Sequence, residues 1–298
     1  MSDGSSASEG EPGGGGVPEF RSGFVALTGR PNTGKSTLLN RIVDRKVSIV
    51  SDKAQTTRQA VRGVLNRPGV QVVMVDTPGI SKPRTALGSR LNESAVQARS
   101  DVDATCMVVD GRSGLGRGDR FIAEKLDPAT TIGVLNKIDG LPADRVMAQL
   151  QAFGELGFAD YFPVSAFTGK GVGALVEHLL TLMPSGPQWY PDGMTTDTGE
   201  REWVAELVRE QLFHLMRDEV PHSVATRVTE WAWPRIRVEI LVERNSQKGI
   251  VIGNKGSVLK EVGSRVRKQL PEGAFLELVV NVDPNWQHDR SAVERLGY

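Results

Sequence analysis

The residues that decide the fold are GRPNTGKS at positions 29–36, which fit the pattern G-x-x-x-x-G-K-[ST] without a mismatch. The preceding FVALT, residues 24–28, is an apolar run typical of a strand, and TLLNRIV, residues 37–43, has the pattern of a helix. In such a loop the glycines let backbone N–H groups turn toward phosphate oxygens, and the helix N-terminus adds partial positive charge. The stretch therefore predicts a site for a nucleoside triphosphate.

Side chains of this loop have predicted roles of their own. Lys35 is expected to bridge the terminal phosphates, and the Ser36 hydroxyl is a candidate magnesium ligand. A glycine-rich turn that merely caps a helix is the alternative, but such a turn needs neither residue at these offsets. The residues expected to contact the nucleotide here are Gly29, Arg30, Pro31, Asn32, Thr33, Gly34, Lys35, Ser36 and Thr37.

A second motif, DTPG, follows the strand-like VQVVMV of residues 70–75. Its first residue, Asp76, is expected to hold magnesium through water, and the N–H of its last residue, Gly79, to sense the γ-phosphate. All four residues of the motif are expected to border the nucleotide: Asp76, Thr77, Pro78 and Gly79.

Two segments are expected to act as switches that respond to the γ-phosphate, residues 53–58 and residues 76–86. The first contains AQTTR, in which Thr57 is the candidate magnesium ligand and its neighbour Thr56 is the alternative. The residues expected to take part in catalysis are Asn32, Lys35, Thr57 and Gly79.

The tetrapeptide NKID, residues 136–139, predicts that the base is guanine. Asp139 would accept hydrogen bonds from the N1 imino and N2 amino groups, which adenine lacks there. Asn136 can reach the N7 and O6 side, and the stem of Lys137 covers the ring. Ser165 and Ala166 supply a last loop, whose backbone N–H can meet O6.

Strands and helices alternate from residue 24 to about residue 183. This alternation predicts an α/β fold with a parallel, doubly wound sheet, and all four motifs follow strand ends, where open sheets bind ligands. The polar, Pro- and Gly-rich residues 184–199 mark a boundary. The predicted organisation is a tail at 1–20, a P-loop nucleotide-binding (G) domain at 21–184, a linker at 185–200 and a smaller domain at 201–298. The predicted strands end near Thr28, Val75, Val109, Leu135 and Val164.

The smaller domain has the element order of a prokaryotic-type KH domain, an α+β fold. The predicted elements are a helix at 200–217, strands at 223–233 and 235–243, a G-x-x-G loop, a helix at 258–270 and a strand at 274–282. In this fold the loop lets a nucleic-acid backbone approach closely, while an apolar groove beside it receives unstacked bases. The loop consists of Gly253, Asn254, Lys255 and Gly256.

The charge around this loop favours RNA as the partner. Residues 244–268 hold seven basic side chains and one acidic side chain, a net charge of +6. A tight turn between helices with a solvated charged face is the alternative, but it does not explain positive charge on both sides of an apolar, glycine-rich loop. Besides the loop, the residues expected to contact RNA are Lys248, Lys260, Arg265 and Lys268.

Composition limits the remaining choices. At 298 residues, 39% hydrophobic and 24% charged, the chain has an ordinary globular composition, with 36 basic and 36 acidic residues and no run that reads as a membrane span. Residues 1–20 have neither a basic n-region nor an apolar h-region, so we expect disorder there and no signal peptide. The single Cys106 lies in an apolar run and is expected to fill core, which favours the cell interior.

These motifs together resemble the Era family of bacterial ribosome-assembly GTPases, within the translation-factor-like class. The resemblance covers residues 22–298, and its most specific marks are GRPNTGKSTLLN, AQTTR, DTPG, NKID, VIGNKG and the final ERLGY. One departure is Asn254 and the residues that follow it, where the family often has a lysine and a further glycine. This departure concerns the detail of RNA contact.

The resemblance implies a function. It implies hydrolysis of GTP to GDP and phosphate with Mg²⁺, binding of the 3′ region of 16S ribosomal RNA, and maturation of the small ribosomal subunit. It also implies a cytoplasmic, monomeric protein with peripheral association at the inner membrane surface. In related GTPases the asparagine that matches Asn32 helps to hold a monovalent cation, which implies K⁺ beside the phosphates; an ordinary turn residue is the alternative.

The residue after DTPG bears on the rate of hydrolysis. Ile80 stands where many signalling GTPases carry the glutamine that orients the attacking water, so this chain cannot use that device. Two other functions stay open on the residues: a GTPase of tRNA modification or of another ribosomal particle, and a membrane-surface signalling switch whose C-terminal domain binds protein.

Overall fold

The computed structural model describes residues 19–80, 83, 85–98, 101–216 and 223–298. Three of the expectations concern residues that lie partly outside these ranges. Residues 1–18 of the predicted disordered tail are outside them, as are Ser81, Lys82 and Arg84 of the second switch. The same holds for Arg217, at the end of the first predicted helix of the C-terminal domain.

The G domain contains six strands and five helices among its described residues. The strands are β1 (Arg21–Thr28), β2 (Val61–Arg67), β3 (Val70–Asp76), β4 (Ala104–Asp110), β5 (Thr131–Asn136) and β6 (Asp160–Pro163). The helices are α1 (Lys35–Val43), α2 (Ala86–Gln97), α3 (Arg117–Ala123), α4 (Ala143–Gly154) and α5 (Val172–Leu182).

The strands form one sheet in the order β2-β3-β1-β4-β5-β6. All neighbouring pairs are parallel except β2 and β3, which pair antiparallel with Val61 opposite Asp76. The α/β fold class is confirmed. The sequence analysis missed β2, because its residues VRGVLNR are largely polar and carry a glycine, so they lack the apolar run that marks the five predicted strands.

Both faces of the sheet are buried, as a sheet with helices on each side requires. Alternate residues of β4 show this: Cys106 and Val108 pack with the apolar residues of α1 and α5, whereas Met107 and Val109 pack with those of α3 and α4. Cys106 is fully buried, and burial raises the pKa of its thiol to about 12, so it fills core as predicted.

The C-terminal domain contains α6 (Glu200–Leu215), β7 (Ala225–Ala232), β8 (Arg235–Val242), α7 (Asn245–Ile252), α8 (Ser257–Arg267), β9 (Phe275–Val282) and α9 (Arg290–Arg295). β8 pairs antiparallel with β7 and parallel with β9. One face of this sheet packs on α6 and α8 through alternating residues such as Ile236, Val238 and Ile240. This is the predicted KH order, with the addition of α7 before the G-x-x-G turn and of α9 at the end.

The linker lies along the β2–β3 edge of the G domain. The Thr195 carbonyl accepts from the Val64 N–H at 2.9 Å, and the fully buried Gln71 side chain hydrogen-bonds backbone groups of Trp189 and Tyr190. These bonds hold the linker against the sheet. The boundaries at residues 20, 184 and 200 stay a prediction.

Within the described ranges, every helix is too short or too polar to cross a lipid bilayer.

Candidate functional site

The phosphate loop connects β1 to α1 in a backbone conformation that needs its glycines. Gly29 has φ 146° and Gly34 has φ 94°, both in the region that L side chains rarely adopt. A Cβ on Gly29 would lie 2.4 Å from the Val108 carbonyl oxygen, and one on Gly34 would lie 2.3 Å from Asn136 Nδ2. The loop is therefore wedged between β4 and the NKID segment, and only glycine fits at these two positions.

Lys35 lies inside this loop and is buried. Its ammonium donates to the backbone carbonyls of Gly29 at 3.2 Å and Arg30 at 3.0 Å. Burial lowers its pKa to about 8, while the nearby Asp76 carboxylate acts in the opposite direction. A phosphate in the loop would supply the negative charge that the buried ammonium lacks.

Asp76, the last residue of β3, gathers three hydroxyl groups on one carboxylate oxygen. Oδ2 accepts from Ser36 at 2.6 Å, from Thr57 at 3.2 Å and from Ser48 at 3.2 Å, and Ser36 and Thr57 are 2.9 Å apart. Burial raises the Asp76 pKa, and Lys35 and the three hydroxyls oppose that shift. The structure thus brings together the three predicted magnesium ligands, Ser36, Thr57 and Asp76.

The choice between the adjacent threonines follows from where each hydroxyl lies. Thr56 Oγ1 donates to the Lys53 carbonyl at 2.7 Å and lies 2.6 Å from Ser51 Oγ, inside the switch segment. Thr57 instead faces Asp76, so only Thr57 is placed with the other candidate ligands.

Ser48 was missed by the sequence analysis, because it lies in no motif. Asn40 positions it: the Asn40 amide donates to the Ser48 carbonyl at 2.8 Å, and its oxygen accepts from the Ser48 N–H at 2.9 Å. A short polar residue beside a buried strand end is too common a pattern to identify it.

The groups around Asp76 fit a hydrated divalent cation. Oδ1 of Asp76 is buried without a hydrogen-bond partner, and no group of three or more His, Cys, Asp or Glu side chains suited to a metal occurs among the described residues. One carboxylate with hydroxyl oxygens is the hard, sparse ligand set that suits Mg²⁺, which keeps several waters.

The remaining residues of DTPG close the phosphate site. The buried Thr77 hydroxyl donates to the Leu27 carbonyl at 2.8 Å, and Pro78 connects it to Gly79. A Cβ on Gly79 would lie 2.8 Å from the backbone nitrogen of Pro31 in the phosphate loop. The Gly79 backbone therefore approaches the loop closely. Ile80, which follows, is half-buried and packs on the apolar cluster of α3 and α4.

A cavity of about 370 Å³ lies beside the phosphate loop at the ends of β5 and β6. Asn136 forms its floor: its amide donates to the Thr33 carbonyl, and its oxygen accepts from the Ala166 N–H, both at 2.9 Å. Lys137 contacts the carbonyl of Asn32 at 2.6 Å. The residues that line the cavity are Gly34, Thr37, Arg112, Asn136, Lys137, Asp139, Ala166 and Phe167.

Both carboxylate oxygens of Asp139 contact side chains of this chain. Oδ1 accepts from Ser165 Oγ at 2.7 Å, and Oδ2 forms an ion pair of 2.7 Å with Arg112. The Ser165 hydrogen bond, and secondarily Arg112, hold the Asp139 pKa below its usual value, so this group stays ionised. Sequence reasoning missed Arg112, because its segment after β4 carries no recognised motif.

Asn32 stands between the phosphate loop and the first switch. Its φ is 64°, and its side-chain amide donates to the Asp52 carbonyl at 2.7 Å. The structure thus contains the turn conformation that the sequence analysis weighed as the alternative, together with a direct bond to the residue that precedes the first switch. Thr33 and Arg30 complete the loop, with Thr33 Oγ1 donating to the Arg30 carbonyl at 3.1 Å.

The G-x-x-G turn lies between α7 and α8 in the C-terminal domain. Gly253, Lys255 and Gly256 have φ values of 74°, 50° and 79°, so the turn is left-handed at three of its four residues. A Cβ on Gly253 would lie 2.6 Å from Val258, whereas one on Gly256 would meet nothing within 4 Å. Asn254 and Lys255 are exposed.

The predicted basic residues lie on both sides of this turn in the chain. Lys248 on α7 is half-buried, whereas Lys260 and Arg265 on α8 and Lys268, which directly follows α8, are exposed. Arg265 forms an ion pair with Glu261 at 2.7 Å, which neutralises part of its charge. Ile250 on α7 is 53% exposed beside the turn and offers an apolar surface that the sequence analysis did not single out.

The two domains meet at the first switch. Arg58 is buried with its guanidinium 5.5 Å from the Trp286 ring and 5.4 Å from the Tyr298 ring, and it donates to the Val224 carbonyl at 2.7 Å. Arg209 of α6, also fully buried, donates to the Thr56 carbonyl at 2.6 Å. The residues on both sides of Thr57 are therefore held by the C-terminal domain.

Comparisons with known proteins agree with this arrangement. A family model described as a 50S ribosome-binding GTPase matches residues 24–137, and a KH domain model matches residues 219–287. GTPase Era of Mycolicibacterium smegmatis is 44% identical over 95% of this chain and all of its own length, and GTPase Era of Mycobacterium tuberculosis is likewise 44% identical over 95%.

Two solved structures have the same two-domain fold. One is Era in complex with MgGDPNP and nucleotides 1506–1542 of 16S ribosomal RNA, with a TM-score of 0.90, 37% identity, and coverage of 94% of this chain and 99% of that chain. The other is an alanine variant of Aquifex aeolicus Era bound to GDP and AlF4⁻, with a TM-score of 0.90, 36% identity and the same coverage. At this identity and coverage, the chain belongs to the Era family of GTPases.

Proposed function

We propose that this GTPase acts as a switch whose nucleotide state controls how its KH domain binds the 3′ region of 16S ribosomal RNA during small-subunit assembly. The observation that carries this proposal is the position of Arg58, which follows Thr57 in the first switch and lies buried against the C-terminal domain. The related Era structure that holds 16S nucleotides supports the choice of RNA.

The phosphate site supports GTP hydrolysis with magnesium. Mg²⁺ would be held by Ser36, Thr57 and, through water, Asp76, where it would neutralise charge on the β- and γ-phosphates. Lys35 would bind the terminal phosphates, since its buried ammonium lies inside the phosphate loop, against the carbonyls of Gly29 and Arg30. The related Era structure contains magnesium with GDPNP, which agrees with this ligand set.

Asp139 would select guanine, with Arg112 as a positioning residue. A carboxylate oxygen has two acceptor sites, so Oδ2 can keep its bond to Arg112 and still accept from the base. Because Ser165 and Arg112 hold the carboxylate in place and ionised, it is ready to accept from the N1 and N2 groups of guanine.

Coupling between the domains follows from the contacts on each side of Thr57. GTP and magnesium would fix the Thr57 hydroxyl toward the phosphates, and the neighbouring backbone would move with it. Arg209 holds the carbonyl of Thr56, and the rings of Trp286 and Tyr298 hold Arg58. A shift of this segment would therefore alter its contacts with residues of the C-terminal domain.

The second switch has a similar connection. Helix α2 begins after Thr85, whose side chain caps it by accepting from the Gly88 N–H at 3.0 Å. Leu87 and Leu91 of α2 pack with Trp286 and Val293 of the C-terminal segment. Movement at the γ-phosphate would thus reach the same C-terminal segment by two routes.

Hydrolysis is expected to be slow unless a cation assists. Ile80 packs into an apolar cluster and has no group that can orient water. Asn32 and the Asp52 carbonyl lie 2.7 Å apart, so rotation of the Asn32 amide would place two oxygens side by side. These oxygens suit K⁺, which would add positive charge beside the phosphates.

We further infer that the protein is cytoplasmic, because its RNA partner belongs to the ribosome, and monomeric, as the family resemblance implies. The peripheral contact with the inner membrane surface that the resemblance implies stays a prediction. A tRNA-modifying role and a protein-binding role for the C-terminal domain are not favoured by the relatives or by the KH domain.

The first prediction concerns the base. Asp139→Asn presents a donor where guanine needs an acceptor, so GTP affinity should fall about 5- to 150-fold, as expected for about 1–3 kcal/mol per bidentate base contact. Affinity for xanthosine triphosphate should rise. Competition against a fluorescent GDP measures both, with Asp144→Asn, an exposed carboxyl on α4, as the control. Unchanged GTP affinity would contradict the assignment.

The second prediction concerns RNA. Lys255→Glu reverses an exposed charge without altering backbone contacts, so affinity for the 3′ region of 16S RNA should fall, and the salt dependence should lose a slope of about 0.7 for a lost phosphate contact. This variant is cleaner than Gly253→Asp, whose Cβ would collide with Val258. Fluorescence anisotropy measures the affinity, with Lys125→Glu of the G domain as the control. Binding equal to that of the parent would exclude the G-x-x-G turn as the RNA site.

The third prediction concerns the coupling. In the parent, RNA affinity should differ between the GTP-analogue and GDP forms, within the usual range of about 5- to 150-fold for allosteric coupling. In Arg58→Ala this ratio should approach one, because the stacked guanidinium is lost. The control is Arg62→Ala, four residues further along the chain, which removes only a surface ion pair to Asp197 and should keep the parent ratio. Full nucleotide dependence in Arg58→Ala would refute this route.

The fourth prediction concerns K⁺. The parent should hydrolyse GTP faster in KCl than in NaCl at equal ionic strength, and Asn32→Ala should show equal rates in both salts. Phosphate release under saturating GTP measures the rates, and a separate titration confirms that nucleotide is bound. Equal rates for the parent in the two salts would rule out the role of Asn32 in holding K⁺.

A further inference from the structure

Basic side chains at the end of α1 border a cavity outside the nucleotide site. α1 ends at Val43, and Asp44, with φ 55°, turns the chain back toward the first switch. The cavity has a volume of about 380 Å³. Its lining consists of Thr37, Asn40, Arg41, Asp44, Arg45, Lys46, Ala166 and Phe167.

The positive charge of this cavity is only partly neutralised. Arg41 donates to the backbone carbonyls of Ala166 at 3.1 Å and Phe167 at 2.6 Å, which fix the guanidinium without cancelling its charge. Arg45 is exposed and takes part in none of the ion pairs between described residues. Asp44 is the one carboxylate in the lining, so two arginines face a single negative charge.

Lys46 connects this cavity to the KH domain. Its ammonium contacts Glu210 of α6 at 2.6 Å and the Gln269 side-chain oxygen at 2.7 Å. Gln269 lies just beyond α8, and its amide donates to the carbonyl of Arg265 one turn earlier. The last turn of α8 and the end of α1 therefore lie side by side.

Positive charge continues from the cavity along α8. The helix starts at Ser257, directly after the G-x-x-G turn, and its eleven residues span about 16 Å. We define the interdomain basic strip as the exposed cations of α8 and of the residue that follows it, together with the cations of the cavity. Its members are Lys260, Arg265, Arg267, Lys268, Lys46, Arg45 and Arg41. The strip leads from the predicted RNA site onto the G domain.

We propose that the interdomain basic strip binds the backbone of single-stranded RNA that leaves the KH groove, so that the RNA site extends onto the G domain. This inference rests on the proposed RNA binding of the KH domain. Phe167, whose side chain is 78% exposed at the rim of the cavity, provides an aromatic face for an unpaired base. Cations that follow a phosphate chain, combined with an exposed aromatic ring, are the usual combination for single-stranded nucleic acid.

The position of the cavity favours RNA over an anionic membrane. Arg41 and Arg45 line a cavity of the G domain, and their neighbour Lys46 joins it to the end of α8, the helix that starts at the G-x-x-G turn. Phe167 also borders the guanine cavity from the other side. RNA on the strip would therefore contact the loop that closes over the base of the nucleotide.

The test compares three RNAs on the full-length protein: a short RNA limited to the segment that fills the KH groove, a longer RNA extended at the 5′ end, and a longer RNA extended at the 3′ end. Arg45→Glu should weaken binding of one extended RNA and reduce its salt slope by about 0.7 or more, while the short RNA binds as it does to the parent. Arg117→Glu, an exposed arginine on α3 at the opposite face of the sheet, should change neither.

Each other outcome overturns the inference. If Arg45→Glu leaves both extended RNAs unaffected, or weakens the short RNA equally, the strip is not an extension of the RNA site. If it reduces only binding to vesicles that contain an anionic lipid, the strip is a membrane contact. A separate result would show that the KH domain does not bind RNA at its G-x-x-G turn. In that case Lys255→Glu would bind the short RNA as tightly as the parent does.

Discussion

The rest of the nucleotide site depends on the buried carboxylate of Asp76. A carboxylate taken out of water is costly unless charges or hydrogen bonds compensate it, and here the ammonium of Lys35 and three hydroxyls do so. The three hydroxyls come from three different segments: the phosphate loop, the chain that leads into the first switch, and the switch itself. The need to satisfy one group at the end of β3 therefore brings these segments together.

The same reasoning explains the contact between the domains. Arg58 and Arg209 are both buried at the interface, where like charges repel, so each needs its own compensation. Arg209 has Glu206 beside it, whereas Arg58 has two aromatic faces and a carbonyl oxygen. Cation–π contacts hold a guanidinium through orientation as well as charge. A small displacement of the switch would consequently change the contacts that Arg58 makes with the C-terminal domain.

Sequence reasoning was most effective where function depends on residues close together in the chain. The phosphate loop, DTPG and NKID lie at the ends of β1, β3 and β5, as predicted, whereas the chemistry that their residues imply stays a prediction. α7 was missed because SQKGIVI contains a glycine in its middle, which weakens a helical pattern. β2 was missed because an edge strand with polar positions lacks a clear apolar run.

Long-range contacts were beyond sequence reasoning for a different reason. Arg58 meets Val224 across 166 residues, and Lys46 meets Gln269 across 223. No local spacing identifies such partners, and Arg112 and Ser48 became visible only because the fold brings them to Asp139 and Asp76. The sequence did indicate the excess of positive charge around the G-x-x-G turn. It did not indicate that basic side chains of the G domain lie next to the end of α8.

Coupling through the first switch must act in both directions. If the nucleotide changes the affinity of the KH domain for RNA by some factor, RNA must change the affinity for the nucleotide by the same factor. Thr56, Thr57 and Arg58 are consecutive, yet they face Arg209, Asp76 and the Trp286 ring. Three neighbouring residues cannot move independently. RNA that repositions the KH domain would therefore change the distance between the Thr57 hydroxyl and the Asp76 carboxylate. Ribosomal RNA would then act on the nucleotide site through the contacts by which the nucleotide acts on RNA.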